Sequence, residues 1–179
     1  MTETITTPSR ADQATLPADD LIAPLRTAVS AREVADAIRA SGCAVSEIEQ
    51  DGIVHLHSAS QGLGFQVLWG NRAAADRFVD FTLSCPLRVQ GGALPEGLTD
   101  EWHRARRFAR LARHGEMLVL EMDVVVAGGV GPEYVGVALR LWMQMMGEYF
   151  VHLRNYRASE TGAGAVSPAA VEPSLATAG

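Results

Sequence analysis

The chain has 179 residues, of which 47% are hydrophobic and 20% charged, and its formal net charge is −6. That is a one-domain length with ordinary globular composition, and its acidic balance argues against broad contact with nucleic acid or anionic membrane, both of which need a basic face. All fifteen basic residues are Arg, which excludes a lysine Schiff base and a P-loop lysine.

Residues 1–23 are rich in Thr, Ala, Asp and Pro without periodicity, and they lack the basic patch and apolar run of a signal peptide. They are predicted to be a disordered tail. The first helix starts at Ser30, which with Glu33 three residues on forms a capping box. Val34, Ala37 and Ile38 share a face, and Gly42 closes the helix. Residues 45–50 and 53–58 read as a hairpin around Asp51-Gly52. Gly62 and Gly64 mark the next turn, after which Phe65, Val67 and Trp69 share one face of a third strand. Residues 70–77 are expected to be a loop, and 78–85 a fourth strand ended by Pro86. A Gly/Pro-rich loop over 91–97 leads to a short helix capped by Thr99, with Trp102 and Ala105 on its inner side. Residues 108–113 are predicted to pair, across a turn at His114-Gly115, with a strand over 117–126. Gly128, Gly129 and Gly131 turn the chain, and Pro132 stands at the first position of a last helix running to about Asn155. Residues 157–179 are small and Gly/Pro-dotted, a second disordered tail, so the folded domain is expected over 24–156.

Helix, four-strand meander, short helix, hairpin and long helix make an α+β domain on an antiparallel sheet. Cys43 and Cys85 are too few for a disulfide framework and read as small buried hydrophobes in a reducing compartment. No stretch reaches about 18 uninterrupted apolar residues, so no membrane span is expected and cytoplasm is the default.

The run DEWHRARRFARLARHGEMLVLEMDVVVAGGVGPEYV, followed by Leu141-Trp142, resembles the YbjN-like family, bacterial proteins described as sensory transduction regulators. Val67-Leu68-Trp69-Gly70 and Phe81-Thr82-Leu83 fit as well, so the likeness spans roughly residues 30–154. The resemblance implies a fold like that of type III secretion chaperones and a non-enzymatic domain that acts through protein contacts. Members usually carry Asn after the Trp of the short helix, where this chain has His103.

Three constellations in the sequence could carry chemistry. Glu121 and Asp123 lie two apart on a strand, ~6.6 Å along one face. The alternate residues Leu118, Leu120, Met122, Val124 and Val126 are the apolar set, so the acids are expected to face solvent or to pair with Arg104, Arg106, Arg107, Arg110 or Arg113. The rival reading makes these acids and arginines a small enzyme or a phosphate-ligand site. His55 and His57 share a strand face, but a metal site needs further ligands, and His103, His114 or Cys85 would have to reach them. Gly128-Gly129 before a helix reads as a tight connection, and no cofactor or metal is expected.

The last helix carries the functional expectation. Its stripe of Val135, Ala138, Trp142, Met145 and Tyr149, flanked by Leu141, Met146, Phe150 and Leu153, covers about 200° of a helix that needs just over 100° to lie on one sheet. The excess points to a partner, with a homodimer expected. The contact residues expected are Trp142, Met145, Met146, Tyr149 and Phe150 on the helix, and Phe65, Val67 and Trp69 on the sheet.

Overall fold

The computed structural model describes residues 23–88 and 97–159. Helix α1 (Ala31–Ala40) precedes strands β1 (Val45–Gln50), β2 (Ile53–Ser60) and β3 (Leu63–Trp69). A small hairpin follows, β4 (Arg72–Ala74) with β5 (Arg77–Phe78), and then β6 (Asp80–Arg88). Helix α2 (Leu98–Ala105), strands β7 (Arg110–His114) and β8 (Met117–Val125) and helix α3 (Tyr134–Ser159) complete the chain.

Local chemistry sets most of these boundaries. The Ser30 hydroxyl accepts from the Glu33 backbone N–H at 3.3 Å, while the Glu33 carboxylate accepts from the Ser30 N–H at 2.8 Å, so the capping box is closed. Asp51 and Gly52 both take positive φ, at 53° and 72°, between paired Gln50 and Ile53. That is the geometry of a type I′ turn, whose twist matches the flanking strands. The same device recurs at Gln61-Gly62, with φ of 53° and 80° between paired Ser60 and Leu63. Gly64, expected in that turn, lies inside β3 opposite Ala59.

The main sheet has six strands in the order β1-β2-β3-β6-β8-β7, and each neighbouring pair is antiparallel. The meander and the hairpin are therefore one sheet, joined where β8 pairs with β6 from Asp80–Val125 to Arg88–Met117. The α+β class holds. Several boundaries differ. Residues 72–77, expected as loop, form with Phe78 the β4–β5 hairpin, and Phe78, expected to open the fourth strand, bonds through its N–H and C=O to Val29 while β6 starts at Asp80. Pro86 does not end its strand: β6 continues to Arg88 because β3 pairs only with residues 81–84, which leaves Pro86 beyond the β3 ladder where no donor is needed. Gly97, not Thr99, is the N-cap of α2, with φ 83° and no side-chain bond, and Ala105 is exposed. The β7–β8 loop is Gly115-Glu116, one residue later than expected. Pro132 lies two residues before α3, and α3 runs through Ser159, into the stretch expected as tail. The disorder expected for 1–22 and 160–179, and the loop expected over 91–96, lie outside the described residues.

The core sits between one face of the sheet and the helices. The sheet gives Leu56, Phe65, Val67, Phe81, Leu83, Cys85, Leu111, Leu120, Met122 and Val124; α1 gives Val34 and Ile38; α3 gives Leu139, Trp142, Met146 and Tyr149. Burial pushes the Cys85 thiol up to about 12, so it behaves as a small hydrophobe.

Candidate docking surface

The predicted contact residues divide by burial. Trp142, Met146 and Tyr149 are fully enclosed in the protomer, and Met145, Phe65 and Val67 are buried as well. The apolar excess of α3 is covered from three sides. Trp142 meets Phe65 of the sheet edge-on at 5.9 Å, and Tyr149 meets Trp102 of α2 at 6.0 Å. The His152 imidazole lies 3.1 Å from the Leu98 carbonyl, and the Met143 sulfur lies 4.0 Å from that of Cys43, just past α1. These six side chains are core, so a partner cannot reach them, and the expectation of an uncovered helix stripe is corrected: α1 and α2 absorb what the sheet leaves over. Trp69 is half-buried, stacked on Phe78 at 4.5 Å with its indole N–H donating to the Val54 carbonyl. Phe150 remains exposed.

The opposite face of the sheet is bare among the described residues. Registers align its side chains in rows: Ser46, His57, Gln66, Ser84, Glu121 and Arg110 in one, and Ile48, His55, Leu68, Thr82 and Asp123 in the next. A solvated sheet face is ordinarily polar at such positions. This one exposes Ile48, Leu68 and Val125, each more than 40% accessible, and adds half-buried Ile53, Pro86 and Met117. Small residues sink between long ones: Ser84, 2% exposed, lies between Gln66 and Glu121. The signal was present in the sequence as apolar residues out of phase with the alternation, namely Ile48 in β1, Leu68 in β3 and Val119 and Val125 in β8.

The charges of this face are paired among themselves. The Arg110 guanidinium spans both acids, donating to Glu121 at 3.0 Å and to Asp123, whose other oxygen accepts from Thr82 at 2.6 Å. These bonds, Arg110 first and against some burial, hold the Asp123 carboxyl below its ordinary range. A carboxylate so held is a weak base, and it lies on an open surface. Elsewhere Arg88 pairs with Glu116 and Asp80 accepts from Asn71. His57 and His55 stand side by side, one in each row, and burial, with the His55 charge, depresses the His57 pKa. Among the described residues no three His, Cys, Asp or Glu side chains are grouped to hold a metal ion.

The arginines do not gather. Arg106 pairs with Glu148 of α3 and lies over the Trp102 ring, Arg107 lies over Phe108, and Arg113 donates to the Gly115 carbonyl. A groove of about 710 Å³ opens on the far side of the molecule, lined by Arg26, Glu33 and Asp36 of the α1 region and Glu133, Arg140 and Met143 of the α3 region. It holds none of the residues singled out for chemistry. His103, which stands where the family usually has Asn, accepts the Leu111 N–H through Nε2 at 3.0 Å and so serves β7, not a metal. No helix among the described residues is long and apolar enough to cross a membrane.

No curated protein matches this chain. The family model for YbjN, described as a putative bacterial sensory transduction regulator, matches residues 30–155. That span runs from the Ser30 cap through all six strands of the sheet and nearly all of α3, and the chain belongs to the YbjN family.

Proposed function

We propose that this protein is a non-enzymatic adaptor, regulatory or chaperone-like, that binds another protein on the bare face of its sheet. The observation that carries the reading is the exposure of Ile48, Leu68 and Val125 on a face whose charged residues are already paired. Apolar side chains amid internally satisfied polar ones give a partner buried area without stranding a charge. The regulatory description of the family agrees with it. A second copy would bury the same exposed apolar residues on both sides, so a homodimer through this face is the second reading.

A photo-crosslinking side chain placed at Leu68, compared with one at Gln144 on the exposed strip of α3, tests the proposal in living cells. We expect adducts from position 68 only, and their loss when Val125→Glu is added. Light scattering then sorts the readings. A concentration-dependent dimer that Leu68→Glu abolishes establishes the homodimer; a monomer with a cross-linked partner establishes the adaptor. Equal yields from both positions, or none from position 68, reject the bare face. The rival chemistry is tested by Glu121→Gln with Asp123→Asn: unchanged adducts in a folded double variant leave the acids no role beyond holding Arg110.

A further inference from the structure

The six-stranded sheet has two edges, and they are treated differently. At β7 the hairpin pairs His114 with Met117. Two-residue loops are flanked by a hydrogen-bonded pair, so Ala109, Leu111 and Arg113 turn their backbone groups outward. Helix α2 lies against that edge: the Trp102 indole N–H donates to the Ala109 carbonyl at 2.9 Å, and His103 Nε2 accepts from the Leu111 N–H. A strand cannot add there without displacing both.

At β1 the same rule, applied to paired Gln50 and Ile53, turns the backbone groups of Val45, Glu47 and Glu49 away from β2. Among the described residues nothing bonds to them. The strand is unbulged and free of Pro over its six residues, so it lacks the usual devices that blunt an edge other than charge. That charge is predominantly negative. Glu47 and Glu49 lie on the strand, Asp51 in its turn and Asp36 on the neighbouring helix; among the described residues Arg39 is shared between Asp36 and Glu47 and Arg32 lies 4.0 Å from Asp36, so two cations stand beside four acids. On the other side of the strand stands exposed Ile48.

We propose that the β1 edge takes an extended, basic segment of a partner protein as a seventh strand. The backbone of the segment would bond to Val45, Glu47 and Glu49; its Arg or Lys side chains would fall beside the two glutamates, and the alternate apolar side chains beside Ile48. A second β1 does not fit, because antiparallel pairing would set the glutamates of one copy against those of the other. This rests on backbone geometry and charge, and stands apart from the docking reading for the bare face.

The experiment is amide hydrogen exchange on the full isotopically labelled chain, with a capped peptide of about nine alternating Arg and Val residues as probe. Exchange at Val45, Glu47 and Glu49 should slow by about tenfold or more, while Ser46 and Ile48, already bonded to β2, stay unchanged. A matching Glu/Val peptide should give no protection. Glu47→Pro should abolish the effect at Val45 and Glu49 without loss of fold, since that N–H is outside the ladder. The Glu47→Arg, Glu49→Arg double variant should reverse the peptide preference, and it decides the matter should the proline variant unfold. Equal protection by both peptides overturns the proposal; so does protection of these three amides before any peptide is added, in a monomer or a dimer. Leu68→Glu should leave the peptide result intact while removing bare-face adducts, so the two readings fail separately.

Discussion

Two tryptophans, Trp102 and Trp142, are both wholly buried, yet among the described residues only one has a hydrogen-bond partner. The Trp102 indole donates to Ala109, whereas the Trp142 Nε1 finds no acceptor among them. A buried donor without a partner keeps its desolvation cost, so its removal returns part of what the lost ring volume takes away. Trp142→Phe should therefore destabilise the protein by about 1 kcal/mol less than Trp102→Phe, which also strands the Ala109 carbonyl. Urea melts of the two variants check this difference, and equal losses would contradict it. His103 makes a second test at this scale. Its Nε2 must be unprotonated to accept from Leu111. His103→Ala should cost about 0.5–1.5 kcal/mol and speed exchange of the Leu111 amide, while His103→Asn, whose carbonyl can also accept, should lose less.

Among the elements, α3 shows how far a pattern can be read from one chain. Its apolar arc is too wide for one sheet, but which surface takes up the excess depends on where α1 and α2 lie. Both reach it: Tyr149 is held by Trp102, and its hydroxyl donates to the Leu118 carbonyl at 3.3 Å. Met145→Glu should accordingly unfold the protein or cost several kcal/mol, since it buries an unpaired charge at a site 4% exposed. A folded Met145→Glu variant with an unchanged melting temperature would restore the helix as a surface. For α1, Ser30→Ala should cost about 1 kcal/mol. Glu33 does more than close the box, since Arg77 bonds to it at 2.7 Å and thereby ties the β4–β5 hairpin to the helix start.

For the whole molecule, three shifted groups give stability the same dependence on pH. Burial opposes ionisation of Glu33, but the Ser30 bonds, Arg77 and Arg26 outweigh it and hold its pKa low. Asp123 is held low by Arg110 and Thr82. His57 is also depressed, by burial first and the His55 charge second. A group whose folded pKa lies below its unfolded value takes up protons more readily when unfolded, so each stabilises above the unfolded pKa and loses that contribution as pH falls. Denaturation midpoints should be flat between the ordinary histidine value of about 6.5 and the ordinary thiol value of about 8.5, decline above that because only the unfolded chain releases the Cys85 proton there, decline first on the acid side just below about 6.5, and decline again through the carboxylate range. His57→Gln should remove the upper decline and leave the lower one. A midpoint that rises as the pH drops below neutrality would contradict this sign.

By itself the sequence determined the local events: the Ser30 box, the turn at Asp51-Gly52, the burial alternation of β8, and the α+β class that follows from strands joined by short turns. Each is settled within a few residues, by capping bonds, by left-handed backbone at a turn, or by the two-residue period of a strand. It also placed the acids on the wet side of β8, where Arg110 meets them. What only the tertiary structure decided is which surfaces remain free. Coverage is a property of three-dimensional neighbours distant in the chain: α2 closes the β7 edge, α1 and α2 enclose α3, and nothing among the described residues lies over Ile48, Leu68 and Val125. An apolar side chain has the same identity in a core and on a docking face, and only the packing of the rest of the chain tells the two apart.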